Sequence, residues 1–287
     1  MKPAAFTYHR ARDVDGATRL LAELGDEAKL IAGGQSLVAM MNFRLARPRH
    51  LIDIGGIDGL GHLRTDPDGA LRIGALTTHH AVHTAPRERL GPGHAVIRDA
   101  MRWIGHLPIR TRGTVGGSLA HADATAEWCL LATLLDAELT ARGPDGERRI
   151  AAQDFFHGYY TTALEPHEML TEITFPRPAP HAALTEFAER QGDFATVSAA
   201  VALDVADDGA LRGGRVALGG VDALPVRVPE AEEALSGGPP GPEAFARCAE
   251  AAAAAIDPPD DANGSAHYRK ALTRTLVARA CEEAMAR

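Results

Sequence analysis

Cysteine is scarce: the 287-residue chain has three, Cys129, Cys248 and Cys281, far apart and never in a C-x-x-C pair. That excludes a disulfide framework and offers no zinc or iron–sulfur ligand spacing, so no metal ligands are assigned. Positive charge is also in deficit, with 30 Lys and Arg against 38 Asp and Glu and a formal net charge of −8. Nucleic-acid binders concentrate cations to neutralise phosphates, so that class is set aside. No run of about 18 apolar residues is present to span a bilayer. Met1 to Asp13 lacks the apolar core of a secretory signal, and the expectation is a cytoplasmic protein with no membrane partner. The G-x-G-x-x-G, G-x-x-x-x-G-K-[ST] and G-x-S-x-G patterns are all missing, which removes the common dinucleotide, triphosphatase and hydrolase loops. Ser36 and Ser118 are therefore not read as nucleophiles.

What is present is a pair of glycine doublets among small and hydroxyl-bearing residues, Ala32-Gly33-Gly34-Gln35-Ser36 and Thr114-Val115-Gly116-Gly117-Ser118. Residues without a Cβ let backbone approach an anion closely and adopt positive φ, so that successive N–H groups converge on it. The first doublet follows the apolar run Leu30 to Ala32 and precedes Leu37 to Met41, an order of strand, turn and helix that suits a phosphate. Gln35, Ser36, Thr114 and Ser118 add side-chain donors. A dinucleotide held between the two doublets is the first hypothesis, with an ordinary tight turn as the plainer reading of either one alone.

Periodicity organises the rest. Val14, Ala17, Leu20, Leu21 and Leu24 recur at helical spacing between a capping Asp13 and Gly25. Strands at 29–32 and 50–54 enclose a helix through Met40 to Leu45, a β-α-β unit with parallel strands. From Gly56 to about Pro176 the pattern predicts strands at 71–76, 137–141 and 169–175. Helices are predicted at 77–84, 95–105 and 123–135, the last opened by the second glycine doublet. Pro176, Pro178 and Pro180 stiffen a linker. Beyond it, 183–188, 197–205 and 211–218 read as an antiparallel meander with a turn at Asp207-Asp208-Gly209. Helices are predicted at 243–255 and 265–286, with Glu230 to Glu233 as a solvated helix start. His79, His80 and His83 read as solvated helix histidines, and Trp103, Trp128, Met40 and Met41 as packing residues.

Read in order, Lys29-Leu30-Ile31-Ala32-Gly33-Gly34-Gln35-Ser36-Leu37, Leu51-Ile52-Asp53-Ile54, Ile73-Gly74-Ala75-Leu76-Thr77 and Arg110 through Asp123 resemble the FAD-binding medium subunit of molybdenum hydroxylases, the group that serves carbon monoxide and bacterial xanthine dehydrogenases. Asp154-Phe155-Phe156, Glu168-Met169-Leu170 and Arg190-Gln191-Gly192-Asp193-Phe194-Ala195 extend the resemblance to nearly the whole chain. It implies an α+β fold: a two-lobed FAD-binding domain of the PCMH type over 1–176, with a small N-terminal α/β lobe at about 1–55 and a middle α+β lobe at 56–176. A C-terminal antiparallel sheet with helices at 177–287 completes it.

The resemblance also implies FAD as cofactor and an oxidoreductase whose redox centre is the flavin itself, with no catalytic side chain. Carried over by position, Lys29 and Leu37 flank the first loop, Ala32, Gly33, Gly34, Gln35 and Ser36 hold the diphosphate, and Thr114, Val115, Gly116, Gly117 and Ser118 grip it from the other side. His121, Asp123 and Glu127 line the cofactor, Leu170 lies near adenine or flavin, and Phe194 stands beside the isoalloxazine. The implied partners are a molybdenum-cofactor large subunit and a [2Fe-2S] small subunit, with NAD+, oxygen or a quinone as acceptor. Two alternatives stay open, a stand-alone FAD oxidase or dehydrogenase and an FAD-binding docking module without turnover. Relatives often carry a lysine near Thr185 or Glu186, and Pro108, Thr111, Asn42 and Ala124 also depart from the usual pattern.

Overall fold

Asp13 accepts a hydrogen bond from Gly16 N–H at 2.6 Å and Gly25 turns at φ +54°, so the first helix is bounded by the two residues that its sequence marks. In the computed structural model, which describes residues 1–287, this helix is α1 (Val14–Leu24). It packs on a three-stranded sheet of β1 (Thr7–Arg10), β2 (Ala28–Ile31) and β3 (His50–Asp53), ordered β1-β3-β2 with both pairings parallel. Helix α2 (Leu37–Asn42) makes the crossover between β2 and β3. It lies earlier than the predicted 40–45 because Arg44 turns left-handed at φ +59° and Leu45 N–H closes on Met40 O at 2.9 Å. Ala17, Leu21, Ile52, Ile54 and Met169 share one small core, so the first lobe sits on a residue from the middle lobe's sheet.

The middle lobe carries a five-stranded antiparallel sheet ordered β4-β5-β10-β6-β7. Its strands are β4 (Leu63–Thr65), β5 (Leu71–Gly74), β6 (Glu138–Gly143), β7 (Gly146–Ala151) and β10 (Met169–Phe175). The hairpin β8 (Phe156–Gly158) and β9 (Thr161–Thr162) lies apart from it. Helices α3 (His79–Thr84), α4 (Arg87–Leu90), α5 (Ala95–Ala100), α6 (Leu107–Arg110), α7 (Val115–His121) and α8 (Glu127–Leu134) fill the connections.

Two helices differ from expectation. Helix α5 stops at Ala100, where the ladder tightens to i−3 bonds, Met101 N–H to Arg98 O at 3.2 Å and Trp103 N–H to Ala100 O at 3.0 Å, before Gly105 turns at φ +44° and Arg110 Nη1 takes the carbonyls of Ile104 and Gly105. The predicted single helix over 123–135 is two elements: the glycine doublet opens its own helix α7, and Ala122 at φ +52° separates it from α8. From Trp128 to Leu134 every residue of α8 is buried, as an apolar-all-round helix requires.

What buries α8 is the C-terminal sheet β11 (Ala182–Phe187), β12 (Val197–Val205), β13 (Leu211–Gly219) and β14 (Val226–Arg227), antiparallel throughout in the predicted meander. Alternation along its strands gives two apolar faces. Ala182, Leu184, Ala200, Ala202 and Ala217 join the middle-lobe core, whereas Ala183, Val197, Ala199 and Val201 pack on α10 (Pro242–Ala255) and α11 (Ala266–Met285). Helix α9 (Pro229–Glu233) precedes those two. Arg269 of α11 is buried and donates to the carbonyls of Thr196 and Gly220 at 2.7 and 2.5 Å and to Asp261 at 2.7 Å, tying the helix to the sheet edge.

Candidate functional site

The two glycine segments meet through their backbones. A Cβ at Gly33 would overlap the Arg112 carbonyl oxygen and lie 2.6 Å from its carbon and 3.0 Å from Gly113 Cα. Thr114 follows directly, so the first lobe's loop is pressed against the residues that lead into the second segment. A second contact between the lobes is the ion pair in which Arg142 Nη2 reaches Asp15 at 3.1 Å. That bridge borders an open cavity of about 500 Å³ whose lining has a single hydrophobic residue, remote in sequence from both doublets.

The segments differ in what they offer. From Gly33 to Ser36 no backbone N–H has a partner in the chain, while Gly34 holds φ +72° and Gln35 Nε2 braces the turn on Gly33 O at 3.0 Å. These four successive amides are left free just before helix α2, the kind of run that can accept an anion when its N–H groups converge. The second segment lacks that property, contrary to the expectation of two converging sets of amides. Val115 and Gly116 N–H bind Thr77 O and Ala75 O at 3.0 and 2.9 Å, Gly117 N–H binds Thr114 Oγ1 at 3.1 Å and Ser118 N–H binds Thr114 O at 3.0 Å. Gly116 is small because a Cβ there would lie 2.5 Å from Ala75 Cβ. The second segment thus supplies a rigid wall, with the half-buried Ser118 and the exposed backbone of Gly117 on its rim.

Past α7, His121 packs on Tyr160 with ring centroids 4.9 Å apart and the planes tilted by 31°. Asp123 accepts from Thr125 N–H and Oγ1 at 2.9 and 2.7 Å and from Tyr160 Oη at 3.4 Å. Glu127, the first residue of α8, is half-buried, and burial with the nearby Asp123 charge pushes its carboxyl up to about 7. Across from it stands a row of the C-terminal sheet. Glu186 of β11 is in register with Ser198 of β12, and Ser198 with Gly219 of β13. The Gly219 position approaches both Ser198 Oγ and Ala124 O, and Gly220 N–H donates to Ala124 O at 3.2 Å, so the α7–α8 junction sits on this row. Glu186 is 6% exposed, with Oε2 unpartnered. Burial first, then the Glu127 carboxylate, pushes it up to about 9 against the opposing effect of Arg102. It is a neutral acid at pH 7.

Phe194 is 74% exposed at the tip of the β11–β12 hairpin. Gly192, at φ +82°, lets that hairpin settle on Gly105 and His106 just before α6, whose Leu107 and Ile109 are also exposed. The path from Gly33 across Arg112 and along α6 to Phe194 is therefore continuous in backbone contact. Leu170 is buried in β10 beside a bulge, where Thr171 O takes Ala75 N–H at 2.9 Å, next to the anchor of the second segment. Lys29 is exposed on β2, and no contact of its side chain ties it to either glycine segment.

Several contributing residues escaped the sequence reading. Arg112 and Gly113 form the contact that aligns the loops, and only their adjacency to Thr114 hinted at it. Tyr160 packs on His121 from 39 positions away in a Tyr-Tyr pair without a motif. His79 is buried and not solvated as expected, because Trp128 Nε1–H donates to its Nδ1 at 3.0 Å.

Residues 4–178 match the family described as the FAD binding domain in molybdopterin dehydrogenase, and 182–284 match the CO dehydrogenase flavoprotein C-terminal domain. This chain belongs to that family of FAD-binding dehydrogenase subunits. It is 39% identical to the 6-hydroxypseudooxynicotine dehydrogenase complex subunit alpha of Paenarthrobacter nicotinovorans, covering 100% of this chain and 97% of the relative. Identity to the carbon monoxide dehydrogenase medium chain of Afipia carboxidovorans is 36%, over 100% and 99% of the two chains. The solved carbon monoxide dehydrogenase of Hydrogenophaga pseudoflava superposes with a TM-score of 0.94 at 35% identity, covering 100% of this chain and 99% of that one. An FAD-binding oxidoreductase subunit is compatible with this geometry, since N–H donors left free by the chain, as at Gly33 to Ser36, suit an anionic group.

Proposed function

We propose that the chain is the flavin-bearing electron carrier of a three-part molybdenum hydroxylase. In this reading it takes electrons from a [2Fe-2S] small subunit that serves a molybdenum-cofactor large subunit, and delivers them to NAD+, oxygen or a quinone. The observation that carries the reading is the run of unpaired amides at Gly33 to Ser36, closed from the other lobe by Arg112. Bound there, FAD supplies the redox chemistry by storing two electrons and releasing them to an acceptor. The residues hold and orient it. Gly33, Gly34, Gln35 and Ser36 bind the diphosphate through N–H groups, while Thr114 to Ser118, with Gly116 and Gly117 at their centre, limit its position through shape and the Ser118 hydroxyl. Ala32 and Leu37 bound the first loop, and Lys29 adds positive charge on the same strand. His121, Asp123 and Glu127 would offer polar contacts to the cofactor's hydroxyls, Leu170 would back the site from within β10, and the exposed Phe194 would be free to pack on the flavin. The chain purified without its partners is expected to be yellow and to release one equivalent of FAD on denaturation. A colourless protein that takes up no added FAD overturns this.

The partner reading is supported by the surface next to the first loop. Phe43 is 62% and Leu45 77% exposed, and Arg44 between them holds a left-handed backbone that costs about 1 kcal/mol in a non-glycine residue. Arg44 Nε donates to Lys2 O at 3.4 Å and Arg47 Nε to Arg44 O at 2.8 Å, so apolar side chains stand among cations with no ion pair. On a chain of net charge −8 this is a basic, apolar knob suited to an acidic partner. Phe43→Asp/Leu45→Asp is expected to keep its FAD and to lose co-purification with co-expressed small and large subunits. Undiminished assembly of this variant places the interface elsewhere. A natural chain that binds FAD and oxidises a small molecule unaided favours the solitary enzyme.

A further inference from the structure

Trp128 lies fully buried in the middle-lobe core, and its indole N–H points at His79 Nδ1. That bond fixes the tautomer: Nδ1 accepts, so the ring's proton is on Nε2. His79 is 4% exposed, and burial, aided by Arg110, pulls it down to about 4, which keeps the ring neutral near pH 7. The Arg110 guanidinium is itself held by the carbonyls of Ile104 and Gly105. The opposite edge of the imidazole lies against Gly113. A Cβ at Gly113 would meet His79 Cδ2 and Nε2 at 2.8 Å, and His79 N–H donates to Gly113 O at 3.0 Å. Gly113 Cα is in turn 3.0 Å from the Cβ position of Gly33.

We infer that His79 is a positioning residue for the cofactor: a strut from Trp128 through the imidazole to Gly113 sets how closely the middle lobe approaches Gly33, and so the aim of the first loop's amides. The inference rests on the reading of Gly33 to Ser36 as the FAD diphosphate site. His79 touches no cofactor in it. Thickness is the working property, since the ring fills the whole gap between the core indole and a backbone that tolerates no Cβ. The hydrogen bond to Trp128 keeps the ring from sliding.

The test measures FAD affinity by titrating the FAD-depleted full chain, alongside its thermal unfolding midpoint without cofactor. Gly113→Ala pushes a methyl group into the ring edge, and FAD affinity is expected to fall by about tenfold, as overpacking at a rigid contact does. Adding His79→Ala removes the two nearest obstacles, at 2.8 Å, and leaves the Ile109 carbonyl at 3.1 Å, so His79→Ala/Gly113→Ala is expected to bind FAD more tightly than Gly113→Ala does. Recovery of affinity at an unfolding midpoint no higher than that of Gly113→Ala is a result that mere destabilisation cannot give, and removing the ring also leaves the Trp128 N–H without its partner. A double variant as weak as Gly113→Ala or weaker, or a Gly113→Ala chain with unchanged affinity, overturns the inference. If Gly113→Ala does not fold, His79→Asn decides: Oδ1 still accepts from Trp128 while the far edge is trimmed. FAD affinity is then expected to fall by about tenfold at an unfolding midpoint within a few degrees of the natural chain's, and equal affinity overturns the inference. A natural chain that binds no FAD defeats the cofactor reading itself and not the strut alone.

Discussion

Gly33→Ala is expected to lose FAD almost completely, by at least about 100-fold in affinity, because its methyl group would collide with backbone and not with a side chain that can turn aside. The obstruction is the carbonyl of Arg112, whose carbon lies 2.6 Å from the new Cβ, and the nearest relief is separation of the two lobes. The small core that joins them runs through Met169, so the lobes can part at this edge while each keeps its own sheet. Gly34→Ala makes the informative contrast. Its backbone at φ +72° strains any L side chain by roughly 1–2 kcal/mol, but its neighbours are the ends of Val38 and Ile31 at 3.1 and 3.3 Å, which can shift. A loss of about tenfold is expected there. Gly25→Ala, at φ +54° and ψ −139° with nothing within 4 Å, places backbone strain away from the site and is expected to lower stability without changing FAD affinity. Equilibrium titration of the three purified variants checks the order. Equal affinities for Gly33→Ala and Gly25→Ala would remove the interlobe contact from the account of binding.

That contact also marks where the sequence stopped being legible. Local chemistry was readable: Asp13 and Gly25 bound α1, the Val197–Val205 strand falls where its alternation places it, and the glycine doublets announced close backbone approach. What each doublet approaches was not readable, because the partner is long-range in both cases. Gly33 meets Arg112, and Gly116 meets Ala75, so two similar-looking doublets have different tasks, one offering amides and the other consuming them. His79, His80 and His83 show the same limit from another side. Their spacing suits a wet helix face, and the Trp128 indole that draws His79 inside stands 49 positions away. Glu186 occupies an inward position of β11 that its alternation with Ala182 and Leu184 implied, but an acid at that position broke the apolar pattern and its burial went unforeseen. The sequence also marked α8 as one long helix with its glycine lead-in, since nothing local reveals that Ala122 turns left-handed.

The buried acid carries the second large effect, a reversal of alkaline instability in Glu186→Gln. In the unfolded chain this carboxyl loses its proton near its ordinary value, whereas burial beside Glu127 holds the proton in the folded chain up to about pH 9. Between those limits the unfolded state binds fewer protons, so folding stability falls as pH rises, by about 1.4 kcal/mol per pH unit for one group. Glu127, raised to about 7, adds in the same direction only up to that pH. His79 acts oppositely: depressed to about 4, it removes stability as pH drops from 6.5 towards 4 and is silent above. From pH 7 to 9 Glu186 is therefore the dominant of the three, and the natural chain is expected to lose about 3 kcal/mol, or about 5–10 °C in Tm. An amide of the same shape needs no proton to be neutral, and its NH2 can donate to the unpartnered Ser198 Oγ across the strand pair. Thermal unfolding at pH 7, 8 and 9 should give parallel values for Glu186→Gln and a falling series for the natural chain. If both fall together, the carboxyl is already ionised at pH 7, held as a carboxylate by a cation for which Arg102 is the candidate.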